Sequence, residues 1–209
     1  MTPLKIEQYV VGSVSTNCYF AINDETKEVV IIDPGAAAKQ LAAKVIERGL
    51  KPAAILLTHG HFDHAGAAEE LAKLLDIKIY AQKAEQETLE NPGINLSGWE
   101  GKSEVYHADE YVADEAILSL AGFEIRVLHT PGHTVGGCCY YLAEQGTLFS
   151  GDTLFCTSIG RTDFPKGSAS QLIRAINEKI MILPDETAVY SGHGEMTSVG
   201  MERMHNPFL

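Results

Sequence analysis

The sequence is short of basic residues and has no long apolar run. Its 209 residues include 16 Lys and Arg against 28 Asp and Glu, which gives a formal net charge of −12. Proteins bind a nucleic-acid backbone through many Lys and Arg contacts to phosphate, so this balance argues against a nucleic-acid partner. No apolar run approaches the 18 or so residues that a membrane span requires, and we expect no membrane association.

Cysteine is also scarce, and the four cysteines indicate a reducing compartment. Cys138 and Cys139 are adjacent, and the sequence contains no CxxC pair. A disulfide framework is unusual at this size and cysteine density. The first residues also lack the basic stretch and long apolar segment of a secretory signal. We therefore expect a cytoplasmic protein in which Cys138, Cys139 and Cys156 are packing residues rather than nucleophiles.

Apolar periodicity predicts strands that alternate with helices, which is typical of a layered α/β protein. No linker or charge run divides the chain, so we expect a single domain over residues 1–209, with strands in the middle and helices outside. The segment Asn91–Tyr106 is predicted to be a long loop. The predicted strands are Ile6–Val11, Asn17–Ile22, Glu28–Ile32, Ala53–Leu57, Ile77–Ala81, Ala116–Leu120, Phe123–Leu128, Gly137–Leu142, Thr147–Ser150 and Ala188–Ser191. The predicted helices are Ala37–Arg48, Gly66–Leu75, Ala84–Glu90 and Ser170–Met181.

One short segment concentrates three histidines and an aspartate. Thr58-His59-Gly60-His61-Phe62-Asp63-His64 follows directly on the predicted buried strand 53–57. Side chains alternate along an extended chain, so His59 and His61 are expected to point to the same side and to bind one cation. After the chain turns, Asp63 and His64 can face a second cation. A polar turn without metal is the alternative, and it would leave four crowded ionisable groups uncompensated.

Three more candidate ligands follow apolar runs later in the chain. His133, Asp152 and His193 each have a glycine directly before them, as expected where backbone crowds round a site. Five His and two Asp are enough for two divalent metal ions that share one carboxylate and keep open positions for solvent. The three remaining histidines lack a second ligand at useful spacing and are predicted to bind no metal: His107, His129 and His205.

The HxHxDH motif, followed by the isolated His133, Asp152 and His193, resembles the metallo-β-lactamase superfamily from the Asp33-Pro34-Gly35 turn to the C-terminal Gly-His-Gly. The resemblance implies an α/β fold, a four-layer αββα sandwich with the metal site at one edge of the sheets. It implies that Asp33 orients a metal-bound imidazole, although an ordinary Asx-Pro turn explains Asp33 equally well. The ligand sets that it implies are His59, His61 and His133 for a first metal and Asp63, His64 and His193 for a second, with Asp152 bridging.

Several positions indicate a branch of this superfamily. Zinc β-lactamases resemble one another in carrying Cys where this chain has Asp152, so a lactamase is disfavoured. Nuclease branches require a basic groove, and the net charge of −12 disfavours them. The segment Ser158–Pro165 resembles the glyoxalase II thioester hydrolases, as does the ending with Gly192-His193-Gly194, Glu202 and Asn206-Pro207-Phe208. The Gly-Arg-Thr-Asp-Phe string within that segment also resembles persulfide dioxygenases, whose single iron is held by residues that match His59, His133 and Asp152. A mononuclear iron persulfide dioxygenase is therefore the alternative.

The chain departs from the long glyoxalase II enzymes near its C-terminus. Those enzymes have a helical extension that helps to bind glutathione, whereas 16 residues follow His193 here. They also carry a Tyr just after the last ligand His, whereas Gly194 follows His193 in this chain. We expect a short, glyoxalase II-like hydrolase without the glutathione-binding helical domain. Arg161 and Lys166 are candidates to meet a substrate carboxylate, with solvated loop charges as the alternative. The loop 91–101, which carries Trp99, is a candidate wall of the substrate groove.

The expected reaction is hydrolysis of a 2-hydroxyacyl thioester, such as S-lactoylglutathione, by a metal-bound hydroxide. Two divalent ions would lower the pKa of water and polarise the carbonyl group; zinc is the preferred metal, and iron or manganese are also compatible. Asp63 and Asp152 are predicted to be the catalytic carboxylates as well as ligands. A thiol with a pKa of about 8.5 can leave as thiolate without a general acid.

Overall fold

In the computed structural model, which describes residues 2–209, most strands belong to two six-stranded sheets. The first sheet has the order β1-β2-β3-β4-β5-β6, and the second has the order β14-β13-β10-β9-β8-β7. A small hairpin pairs β11 with β12. The strands are β1 Leu4–Val11, β2 Thr16–Asn23, β3 Glu28–Ile32, β4 Lys51–Leu56, β5 Lys78–Gln82, β6 Glu110–Val112, β7 Ile117–Leu120, β8 Phe123–His129, β9 Cys138–Leu142, β10 Thr147–Gly151, β11 Leu154–Phe155, β12 Ser158–Ile159, β13 Ala188–Ser191 and β14 Thr197–Ser198.

Six α-helices of the described residues lie outside the sheets or at their ends. The last turn of α5 continues as a π-helical turn at Ile176–Ile180, and 3₁₀ turns occur at Lys83–Glu85 and Ser97–Glu100. The N-cap of α5 is Ser168, whose side chain accepts a hydrogen bond from the N–H of Gln171, the role that serine commonly takes at a helix N-terminus. The helices are α1 Ala38–Glu47, α2 Phe62–Ala65, α3 Ala68–Leu75, α4 Gln86–Glu90, α5 Ala169–Ala175 and α6 Val199–His205.

The side chains of β2 illustrate why the chain forms four layers. Every residue of β2 is buried, because both faces of the first sheet are covered. Tyr19 and Ala21 point to the second sheet and pack with Phe123 and Tyr140. Their neighbours Cys18, Phe20 and Ile22 point to the opposite side, where α1 and α3 pack. A third apolar cluster joins the outer face of the second sheet to α5 and α6. The structure confirms the predicted αββα sandwich.

The structure corrects two details of the sequence analysis. Cys138 and Cys139 are buried in β9, but Cys156 is exposed and is therefore no packing residue. It lies with Thr157 in the tight turn between β11 and β12, where side chains project into solvent. The predicted set lacks the short elements β6, β11, β12, β14, α2 and α6, and the predicted loop Asn91–Tyr106 contains a 3₁₀ turn. Among the described residues, no helix combines the length and apolar character needed to cross a membrane.

Candidate metal centre

The predicted ligands lie beyond strand ends at one edge of the sandwich. β8 and β10 are both antiparallel to β9, and β13 is parallel to β10, so these three strands run in the same direction. His133, Asp152 and His193 follow their carboxyl ends. The HxHxDH segment follows β4 of the facing sheet and continues into α2. The topology therefore brings together residues that are far apart in the sequence.

The loop that carries His193 is fixed from the opposite sheet. The side-chain amide of Asn17 donates a hydrogen bond to the carbonyl of Ser191 at 3.0 Å, and the N–H of Asn17 donates to the carbonyl of Gly192 at 2.7 Å. A methyl side chain at position 192 would overlap Oδ1 of Asp152 and Cε1 of His64. The glycine before His193 is therefore required by the close approach of the two loops.

His59, His61 and His133 form the first cluster, and all three are buried. Nδ1 of His61 lies 3.1 Å from Nε2 of His59 and 3.0 Å from Nε2 of His133. The other ring nitrogen of His133, Nδ1, lies 2.7 Å from the carbonyl oxygen of Arg161. Because a carbonyl can only accept, this contact places the proton on Nδ1 and leaves the Nε2 lone pair directed into the cluster.

Asp63, His64 and His193 form the second cluster. Nε2 of His193 lies 3.2 Å from Oδ2 of Asp63 and 3.4 Å from Nε2 of His64. Asp152 stands between the two clusters: its Oδ1 is 3.3 Å from Nε2 of His64, and its Oδ2 is 3.5 Å from Nε2 of His133. A carboxylate in this position can contact ions in both clusters, as in two-metal sites with ions about 3.5–4 Å apart.

The imidazoles of the first cluster are held in the neutral form. Burial lowers the pKa of His59 well below its ordinary value, and the neighbouring histidines lower it further. Burial likewise lowers the pKa of His61 well below its usual range and also lowers the pKa of His133. Neutral imidazole is the form that binds a cation, so the first cluster presents its lone pairs near pH 7.

Opposite charges hold the second cluster together. Burial alone would raise the pKa of Asp63, but His64 and a hydrogen bond from His193 hold it well below its ordinary value. Asp152 follows the same pattern: burial acts to raise its pKa, while His64, His133 and His193 lower it to about 2. Against burial, the carboxylates of Asp63, Asp152 and Asp33 raise the pKa of His64 well above its usual range. A proton on His64 therefore compensates the negative charge of these carboxylates. A bound divalent ion would compensate the same charge.

The donor atoms fit a divalent metal ion. An ion with metal–nitrogen distances of 2.0–2.1 Å holds tetrahedral ligand atoms roughly 3.3 Å apart. The nitrogen atoms of the first cluster are separated by 3.0 and 3.1 Å, close to that spacing. Oδ1 of Asp152 is buried and makes no hydrogen bond, although buried polar atoms are normally paired. A mixed set of imidazole and carboxylate donors suits zinc, iron or manganese.

Asp33 lies behind the second cluster and supports His64. Its Oδ2 is 2.9 Å from Nδ1 of His64 and accepts a hydrogen bond from the hydroxyl of Thr58 at 2.6 Å. Its Oδ1 accepts the N–H of Thr58 at 2.7 Å. The carboxylate therefore fixes the imidazole of His64 with Nε2 directed into the cluster. Of the two interpretations of Asp33, the structure supports the orienting role.

Glu85 belongs to none of the motifs, yet it joins the two loops that carry the first cluster. Its fully buried carboxylate accepts hydrogen bonds from the N–H groups of Gly60 and Gly136, both at 2.7 Å, and from the hydroxyl of Thr134 at 3.0 Å. Burial raises the pKa of Glu85 to about 7, against the effect of these donors. Its partners lie 25 to 51 residues away, so local sequence carries no signal for this role.

A cavity of about 500 Å³ opens over both clusters. Phe164 lies edge-on to His61 and His133, with ring centroids 5.5 and 5.8 Å apart, and Trp99 packs against Phe164 at 5.4 Å. A largely apolar wall with a few polar groups at its base is typical of a small-molecule binding site. The apolar residues of the wall are Val14, Phe62, Leu96, Trp99, Phe155 and Phe164.

The structure brings one of the two candidate substrate-binding cations to this cavity. Arg161 lines it, and its guanidinium carbon lies 4.3 Å from the centroid of the Phe164 ring. Lys166 forms an ion pair with Glu87 on α4, and it is not one of the described residues that line the cavity.

A family model described as the metallo-beta-lactamase superfamily matches residues 11–193. The chain is 39% identical over 208 residues to the probable metallo-hydrolase YqgX of Bacillus subtilis, covering 99% of this chain and 98% of that protein. It is 36% identical over 212 residues to the hydroxyacylglutathione hydrolase GloC of Haemophilus influenzae, again covering 99% and 98%.

Three solved structures are similar to this chain over most of its length. The B3 metallo-beta-lactamase BLEG-1 is 41% identical with a TM-score of 0.93, and the match covers 98% of this chain and 99% of that one. A di-iron-bound form of TTHA1623 is 34% identical, TM-score 0.83, covering 97% and 100%. ETHE1 from Myxococcus xanthus is 28% identical, TM-score 0.79, covering 97% and 83%. With the family model and the shared fold in agreement, the chain belongs to the metallo-beta-lactamase superfamily.

Proposed function

We propose that this chain is a binuclear metal-dependent hydrolase that cleaves 2-hydroxyacyl thioesters, such as S-lactoylglutathione, to a carboxylic acid and a thiol. The observation that carries the proposal is the assembled second cluster. Asp63, His64 and His193 bring their donor atoms within 3.2 to 3.4 Å of one another, and Asp152 faces both clusters. A single-iron reaction would leave this second set without a role. The di-iron form of TTHA1623 supports a binuclear centre.

Divalent ions bound here would polarise the thioester carbonyl and lower the pKa of a coordinated water. The chain's own residues prepare the site for that chemistry. Asp63 and Asp152 stay ionised because their pKa values are depressed, and the first-cluster imidazoles stay neutral. The apolar wall with Phe164 and Trp99 limits competing solvent around the substrate. The thiol product needs no dedicated proton donor, because thiols with a pKa of about 8.5 leave readily as thiolate.

Two other reactions compete with this proposal. The Gly-Arg-Thr-Asp-Phe string keeps the mononuclear iron persulfide dioxygenase as the alternative. BLEG-1, described as a B3 metallo-beta-lactamase, weakens the sequence argument against lactam hydrolysis that rests on Asp152. The relative GloC, named as a hydroxyacylglutathione hydrolase, supports the thioester reaction. The match covers 99% of this chain and 98% of that protein.

Zinc-loaded protein is expected to release free thiol from S-lactoylglutathione in the absence of oxygen. A thiol reagent measures this release. In parallel, iron-loaded protein is tested for oxygen uptake with glutathione persulfide, and zinc-loaded protein for hydrolysis of a chromogenic β-lactam. Oxygen uptake with the persulfide and no anaerobic thiol release would replace our proposal with the dioxygenase. Lactam hydrolysis at a higher kcat/KM than thioester hydrolysis would replace it with a lactamase.

A further inference from the structure

Both basic side chains that could meet a substrate carboxylate are already paired with acidic neighbours. Arg161 makes a two-pronged contact with Asp163, with Nε to Oδ1 at 2.9 Å and Nη2 to Oδ2 at 2.7 Å. One face of its guanidinium is covered by the ring of Phe164. Lys166 is paired with Glu87 outside the cavity wall. An anionic group that enters the cavity therefore meets a neutral pair rather than a free cation.

The rest of the wall is apolar, and part of it faces solvent. Trp99 is 65% exposed and Val14 is 49% exposed, and apolar side chains grouped on a surface in this way are typical of ligand-binding grooves. Among the described residues that line the cavity, Arg161 is the one Lys or Arg, and the other charged or titratable groups are the candidate metal ligands. The net charge of −12 adds no general attraction for anions.

We infer that the thiol part of the preferred thioester is apolar and uncharged, and that the Arg161–Asp163 pair removes the charge that would otherwise recognise the carboxylates of glutathione. The inference rests on the proposed thioesterase function and specifies its substrate class. An aromatic or aliphatic thiol group would pack on Trp99, Phe164 and Val14, whereas the peptide of glutathione would leave its carboxylates without a paired cation.

Three lactoyl thioesters that share the acyl group test this inference: those of benzyl mercaptan, N-acetylcysteamine and glutathione. We expect kcat/KM for the benzyl thioester to exceed that for the glutathione thioester by about tenfold, the scale of one aromatic contact. Asp163→Asn would free Arg161 and should shift the ratio of the two kcat/KM values toward glutathione by about threefold to fivefold, chiefly through KM. Glu87→Gln is the matched control, because it frees Lys166 outside the cavity wall and should leave the ratio unchanged.

Binding can be followed without turnover, because Trp99 is the sequence's one tryptophan. The probes are the thioethers in which CH₂ replaces the thioester C=O, and we expect the benzyl thioether to quench Trp99 at lower concentration than the glutathione thioether. Absence of hydrolysis with all three thioesters would overturn the proposed function, while the quenching order would still test the cavity. Preference for the glutathione compounds in both assays, with loss on Arg161→Ala, would overturn this inference alone.

Discussion

Replacing Asp152 with alanine is expected to remove metal from both clusters and to reduce turnover by more than about 100-fold. Its carboxylate is the one carboxylate that contacts both His64 of the second cluster and His133 of the first among the described ion pairs. Loss of residues that merely orient ligands already costs 10–100-fold in metal affinity or activity, so loss of a shared ligand should cost more. Elemental analysis after gentle purification should give close to two metals per chain in the wild type and less than one in Asp152→Ala.

His129→Ala is the matched control for this experiment. Nε2 of His129 lies 2.9 Å from the carbonyl oxygen of Val135, and His129 belongs to none of the described groups that could hold a metal. Its substitution should leave metal content intact, whereas His133→Ala should empty the first cluster. Equal metal loss in the two histidine variants would contradict the ligand assignment. A wild-type content that stays at one metal after repletion would contradict the binuclear centre.

The layered architecture and the ligand clusters could be predicted because their signals are local. β3 and β13 occur at the predicted residues, since short apolar runs bounded by turn residues are reliable strand signals. The HxHxDH segment places four candidate ligands within six residues. The later candidates, His133, Asp152 and His193, are indicated only by a preceding apolar run and a glycine, and their assignment to one metal or the other rests on the resemblance.

The helix α6 shows why other elements escaped prediction. Its methionines, Met201 and Met204, are 49% and 69% exposed, so they do not mark its buried face. Beside Val199, that face carries Glu202, whose carboxylate accepts hydrogen bonds from the N–H of Thr157 and from Asn206 Nδ2. A helix that packs through a buried polar residue lacks the apolar stripe on which periodicity depends. Glu85 escaped prediction for a different reason: its hydrogen-bond partners are distant in the sequence and are fixed by tertiary structure.

Glu85→Ala is expected to lower the free energy of unfolding by roughly 3–5 kcal/mol and to weaken metal binding in the first cluster. The substitution leaves three buried donors without an acceptor, on Gly60, Thr134 and Gly136, at about 1–3 kcal/mol each. Gly60 stands between His59 and His61, and Thr134 follows His133, so release of these loops would disturb the ligand spacing. Denaturant unfolding and zinc titration measure the two effects. Glu87→Ala, which removes an exposed ion pair, should change the free energy of unfolding by less than about 1 kcal/mol.

The free energy of unfolding of the wild type minus that of Glu85→Gln is expected to decrease as the pH rises. Burial raises the pKa of Glu85 from 4.5 to about 7, so the folded state holds this proton more tightly than the unfolded chain. The stabilisation from the protonated carboxyl is complete below pH 4.5 and is lost as the pH rises through about 7. The wild-type free energy of unfolding minus that of Glu85→Gln should therefore fall between pH 4.5 and 7 and level off above it, in denaturant titrations with a chelator present. The titration of all other groups is common to both proteins and cancels in this difference. A difference that rises over the same interval would show that Glu85 is ionised in the folded state throughout, with its hydrogen bonds lowering its pKa by more than burial raises it.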